Sequence, residues 1–331
     1  MSAPVHPRET FDWAGDEAHE RAFLDALDRG RLHHAWLVVG PEGVGKATFA
    51  YRAARRLLGA RAEPSLGPLG AAPDDPVSRQ ILGRAHPDLM ALQRDPETGK
   101  SRRDIPAEEA RSLGEFFAKS PASAPYRVAI VDAADDLNTF GANAVLKTLE
   151  EPPERGVLFL ISHAPGGLLP TIRSRCRRLR LEVPEPARAA RWVEARTGVG
   201  AGDAERLLAM ARGAPGGAWR LAAQGALDAD KLAHDLLAAL PAPDERAMLA
   251  IAESFRGPAG LAKFQLFFNR LADQVHAMAA RRAADGERGL ALDRWSEIWD
   301  DLVAAPLDAE AINLDRADLF FTTLSRLKAI E

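Results

Sequence analysis

Cysteine is all but missing from this chain: Cys176 is the only one in 331 residues. That excludes an internal disulfide and any cluster of cysteines around a metal ion. Surplus positive charge is missing too. A net charge of −4 gives no general attraction to nucleic acid, so any DNA contact has to be local or shared with partners. No run of about 18 apolar residues occurs, which excludes a membrane-spanning helix. Met1 to Thr10 is polar and contains proline, without a signal-peptide core, so a cytoplasmic protein is expected. What is plentiful is ordinary: 47% hydrophobic and 27% charged residues, enough for cores in two or three domains.

The next absence is local. Gly40-Pro41-Glu42-Gly43-Val44-Gly45-Lys46-Ala47 is a phosphate-binding loop that lacks its last member. Glycines let backbone N–H groups curl around phosphate, and the lysine reaches the outer phosphates. The Ser or Thr that would hold magnesium is Ala47. Thr48 is no simple substitute, because one step along a helix turns a side chain by about 100°. Binding of ATP or ADP at Gly40, Gly43, Gly45 and Lys46 therefore stays open, while hydrolysis is expected to be poor.

The context around the loop is the required one. Residues 16–29 read as an amphipathic helix stopped at Gly30. Trp36 to Val39 is a short buried strand, and Ala47 to Leu58 a helix. Glu63 to Pro76 reads as loop and Asp88 to Leu92 as a strand. Arg94 to Asp104, with four basic residues, reads as exposed, and Pro106 to Phe117 as a helix. Arg127 to Asp132 and Val157 to Ile161 are strong strands, separated by a helix over Thr139 to Glu150. Arg178 to Glu182 closes the series. Alternation of strand and helix predicts a parallel α/β sheet for the first ~180 residues. After Val183-Pro184-Glu185-Pro186 no convincing strand returns. Phe264, Phe267, Leu271, Val275 and Met278 share one helical face, as do Trp295, Ile298, Trp299 and Leu302. Leu319, Phe320, Leu324 and Leu327 do likewise, and all three sets predict a helical bundle. The expected domains are 1–183, 184–240 and 241–331.

Hydrolysis also needs an acid at the end of a second strand and a glutamate beside it. Asp132 ends its strand correctly, but its neighbour is Ala133. Asp135 and Asp136 are read as acids that begin and cap the next helix. Two catalytic groups are thus absent together.

Asn143 to Pro153, with the pattern N-A-x-L-K-x-L-E-E-P-P, and Leu168 to Cys176, ending in S-R-C, resemble the clamp-loader branch of the AAA+ ATPases. His33-His34-Ala35-Trp36 and His86-Pro87-Asp88 add to the likeness, which covers about residues 7–183. The resemblance implies an α/β P-loop (AAA+) parallel sheet domain followed by a small helical lid and a C-terminal all-α collar for oligomerisation. It implies a five-subunit arc that opens a sliding clamp and places it on primer-template DNA during replication. The expected neighbours are gamma/tau and delta subunits, and no membrane is involved. It assigns Arg175 as an arginine finger reaching the neighbour's ATP, with Arg173 assisting or structural. The alternative for Arg175 is a surface arginine paired with Glu or Asp. Cys176 is read as a packing residue.

The departures from the family pattern point to a member without ATPase activity of its own. Ser162-His163 stand where active relatives carry a polar sensor, and His163 is read as a hydrogen-bonded histidine in preference to a phosphate contact. Glycine stands where the lid helix would carry a sensor arginine, and Arg220, a turn later, is left without that role. No cysteine occurs between Leu58 and Pro125, so no zinc is expected. Two other readings compete: an active AAA+ motor working alone or as a homo-oligomer, and a DNA-binding module. The missing hydroxyl and glutamate count against the first, the weak acidity against the second.

Overall fold

The computed structural model describes residues 3–94, 104–257, 259–286, 290–311 and 315–329. Most of the exposed basic stretch expected at Arg94–Asp104 thus lies outside the described residues. The chain divides into two compact units, Met1–Arg220 and Leu221–Glu331.

The first unit runs α1 (Glu17–Asp28), β1 (Ala35–Val39), α2 (Lys46–Leu57), α3 (Pro76–Leu82), β2 (Leu89–Gln93), α4 (Ala107–Phe117) and β3 (Arg127–Asp132). It continues through α5 (Thr139–Glu150), β4 (Gly156–Ser162), α6 (Pro170–Arg175), β5 (Arg177–Arg180), α7 (Pro186–Thr197), α8 (Ala201–Met210) and α9 (Pro215–Ala223). The five strands pair in the order β2-β3-β4-β1-β5, all parallel. Parallel strands covered on both faces carry apolar residues at every position, and β1 and β4 are buried throughout.

Side chains alternate between two layers. Trp36, Val38, Ile130 and Phe159 face the α1–α2 side, where Phe23 and Phe49 meet them. Phe23 sits with its ring centroid 5.1 Å from Trp36, 6.0 Å from Phe49 and 5.9 Å from Phe159. Leu37, Val39, Val131 and Leu160 face the other way, onto Leu113, Phe117, Val145 and Ile172 of α4, α5 and α6. Burying each such side chain contributes about 1.5–3 kcal/mol.

Two buried ion pairs hold loops that the sequence leaves irregular. Arg52 donates to Glu20 at 2.6 Å, to Leu66 O at 2.6 Å and to Phe11 O, with both charged side chains essentially out of solvent. Asp88, from the His86-Pro87-Asp88 motif, accepts from Ala122 N, Ser123 N and Ala124 N at 2.7, 2.9 and 3.1 Å and from Arg127 at 3.2 Å. Burial opposes its charge, but those three backbone bonds and Arg127 outweigh it and hold the carboxyl below the usual range.

The second unit comprises α10 (Ala226–Ala238), α11 (Glu245–Ser254), α12 (Gly260–Ala284), α13 (Leu290–Ala311) and α14 (Arg316–Lys328). Phe264, Phe267, Leu271, Val275, Ile298 and Leu302 form its core with Phe320, Leu324 and Leu327. Met278 and Leu319 lie at its margin. Trp299 departs from the expected face: Trp295 fills the core, whereas Trp299 is 37% exposed. Four residues give 400° of rotation, enough to carry Trp299 beyond the rim.

Three further details differ from the sequence reading. Helix α3 begins at Pro76, where the expected loop ends, is capped by Asp75, and fills residues to which the sequence reading assigned no element. Asp135 and Asp136 do not cap α5; Asn138 does, accepting from Gly141 N at 2.9 Å. Asp135 lies instead in a single 3₁₀ turn, where its carboxylate turns back toward β4.

Candidate nucleotide site

The loop after β1 is shaped by glycines in conformations closed to most side chains: Gly43 at φ +76° and Gly45 at φ +99°. Gly45 is the N-cap of α2 and carries no side chain to satisfy that helix end. A Cβ on Gly45 would come within 2.9 Å of the Trp13 ring, and one on Gly216 within 2.8 Å of Gly43 O. The Gly216 N–H donates to Gly43 O at 2.8 Å. The start of α9 thus lies backbone to backbone on the phosphate loop. Arg220, one turn on, pairs with Glu42 of the loop at 2.7 Å. Against the cost of burial, that guanidinium holds the Glu42 carboxyl below its ordinary range.

Lys46 is 3% exposed. Its Nζ donates to Gly40 O at 2.7 Å and to Pro41 O at 2.8 Å, and lies 2.8 Å from His163 Nδ1. Burial lowers its ammonium to about 8, outweighing the attraction of Asp132, Glu42 and Asp135. Asp132, at the end of β3, has its carboxyl pushed up by burial, partly offset by His163, His6 and Lys46. Ala133 beside it is buried and apolar. Asp135 accepts from Ser162 Oγ at 2.9 Å, His163 N at 2.8 Å and Ala164 N at 3.1 Å. His163 is therefore a hydrogen-bonded residue in the position of a sensor.

Glu42, Lys46, Asp132 and His163 border a cavity of about 360 Å³ with Trp13, Trp192 and Trp219. That volume lies in the range of small-ligand sites. Thr48 borders it as well, one residue farther round α2 than Ala47. The indole N–H groups of Trp13 and Trp192 are buried without hydrogen-bond partners among the described residues. Sequence reasoning passed over the tryptophans, the Glu42–Arg220 pair and the Asp135 clasp. The double glycine at 216–217 was the available signal for the close approach of α9.

Gly40, Gly43, Gly45, Lys46 and Asp132 thus converge, and Arg175 stands apart from them. Arg175 ends α6, just before β5, and β5 runs parallel to β1 with Trp36 opposite Arg177 and Val39 opposite Arg180. The phosphate loop follows the carboxyl end of β1, whereas Arg175 precedes the amino end of β5. The strand length between, roughly 10 Å, separates them. The Arg175 side chain is 37% exposed, donates to Thr171 O at 3.1 Å and pairs with Glu150 at 3.0 Å. An exposed pair of this kind is worth about 0–1 kcal/mol after screening, so little holds the guanidinium in place. Cys176 next to it is half-buried, and burial pushes its thiol to about 11, too high for a nucleophile.

A glycine-loop site at the carboxyl ends of a five-stranded parallel sheet, followed only by helices among the described residues, defines a P-loop nucleotide-binding fold of the expected AAA+ class. The family described as "DNA polymerase III, delta subunit" matches residues 15–185. The delta' subunit of DNA polymerase III from Pseudomonas aeruginosa is 35% identical over 198 residues, 60% of this chain and 58% of that one. The gamma/tau subunit from Mycobacterium tuberculosis H37Rv is 36% identical over 169 residues, 51% of this chain and 28% of that one. A solved gamma subunit-related protein from Thermotoga maritima covers 93% of this chain and 99% of its own, with TM-score 0.50 and 18% identity, a likeness of fold. The chain belongs to the delta-prime family of DNA polymerase III clamp-loader subunits. It spans little more than half the length of the delta' relative and about a quarter of the gamma/tau one.

Proposed function

We propose that this protein works as a clamp-loader subunit of DNA polymerase III that lends Arg175 to a neighbouring subunit's ATP and hydrolyses none itself. The observation that carries this reading is the parallel register of β5 on β1. It sets Arg175 at the far end of the strands from its own phosphate loop, partly exposed and weakly paired. A guanidinium is always charged and forks onto phosphate oxygens where charge develops. Partners of the gamma/tau and delta kinds would supply the adjoining ATP site, and the sliding clamp and primer-template DNA would be met through the complex. The finer division into sheet domain, lid and collar at 183 and 240 belongs to this same reading.

The residues around Lys46 fit a nucleotide by shape. Gly40, Gly43, Gly45 and Lys46 would hold its phosphates, with Asp132 beside them and the tryptophans near its base. They do not fit hydrolysis: Ala47 offers no oxygen to magnesium and Ala133 accepts no proton. The cavity is a degenerate site whose bound group would contribute to packing and not to turnover.

The test is a loader reconstituted with Arg175→Ala in this chain. Loss of a finger is expected to lower turnover at the site it serves on the order of 10³-fold, with assembly and melting unchanged. Undiminished ATP hydrolysis would remove the proposed role.

A further inference from the structure

A lysine ammonium has three N–H donors and no acceptor. The chain supplies Lys46 with three acceptors of its own: Gly40 O, Pro41 O and His163 Nδ1, all within 2.7–2.8 Å. A protonated Lys46 can only donate, so opposite it His163 accepts through Nδ1, with its proton on Nε2. The first two acceptors belong to the phosphate loop. The third comes from another element, the residue after β4, 117 positions away.

The position of His163 is enforced. The Asp135 carboxylate takes the backbone N–H groups of His163 and Ala164 and the hydroxyl of the fully buried Ser162. Three bonds to one carboxylate fix the turn that aims the imidazole at Lys46. The loop is held from its other side by the Gly216–Gly43 backbone bond and the Arg220–Glu42 pair.

We propose that His163 is a built-in competitor for the phosphate-loop lysine: it fills the donor direction that a nucleotide's outer phosphate requires, and so keeps this chain's affinity for nucleoside triphosphates low. His163 acts through Lys46 and is a positioning residue. The proposal rests on reading Gly40–Lys46 as a degenerate nucleotide site. It does not depend on Arg175, so the two readings fail separately.

Equilibrium binding of a fluorescent ATP analogue, with and without magnesium, tests this on the full-length protein. Removing one charge-assisted acceptor should tighten binding by about ten- to a hundred-fold in His163→Ala. His163→Leu, which keeps bulk and lacks the acceptor, should do the same and covers the case in which the alanine variant misfolds. Adding Lys46→Ala to either should abolish the gain. Binding in the histidine variants equal to or weaker than wild type overturns the proposal, as does tight binding by the wild-type chain. A gain that survives removal of Lys46 overturns it too, because it would mean that His163 merely blocks space.

Discussion

At the scale of single residues, Lys46 carries the clearest signature. Burial brings its ammonium from the usual 10.5 to about 8. Below pH 8 both folded and unfolded chains hold this proton, and the burial cost stands in full. Between about 8 and 10.5 the unfolded chain binds more protons, so the Lys46 contribution to stability rises with pH. NMR of protein carrying ¹³C-labelled lysine is expected to reveal one ε-carbon with a midpoint near 8, missing in Lys46→Met. A midpoint above 10 would contradict the burial argument. The loop, Asp132 and the missing hydroxyl at Ala47 were legible in the sequence because phosphate chemistry fixes residue types at fixed spacing. The Asp135 clasp was not. Its partners are 27 to 29 positions away and meet only once β3 and β4 are paired side by side. A nearby acid then reads as a helix cap by default.

At the scale of elements, strands buried on both faces left an unmistakable trace: β1, β3 and β4 are continuous apolar runs, and their bounds hold to within a residue or so of expectation. Helix α3 left little, since a seven-residue helix opened by proline at the end of a Pro/Gly-rich stretch has too few turns for a period to emerge. The Glu20–Arg52 pair is the device that fastens this region. It joins α1 to α2 and ties down Phe11, Leu66 and Leu69 besides. Glu20→Ala leaves a guanidinium buried without its counter-charge, an expected loss of about 3–5 kcal/mol. Urea unfolding measures it, and a loss under about 1 kcal/mol would mean that water or another acceptor replaces the carboxylate.

At the scale of the whole molecule, the two compact units each carry a core of their own. The core of Leu221–Glu331 is rich in aromatic contacts: Phe255 meets Phe264, Phe267 and Phe320 with ring centroids 5.2, 5.5 and 5.7 Å apart. A fragment spanning residues 221–331 is therefore expected to stay helical and to melt cooperatively by circular dichroism; a broad, non-cooperative loss of signal would show that its core is insufficient alone. The boundary at 220 was hidden from the sequence. Pro241-Ala242-Pro243 reads as a linker, and α10 before it and α11 after it both contribute to the core of this second unit.

The opposed placement of Arg175 and the glycine loop gives the first compact unit a head and a tail. Copies or cousins set in a row through these ends would all point the same way, each offering at one end what the next could use at the other. In such a row, a member whose socket is inert would still complete the socket of the chain it follows.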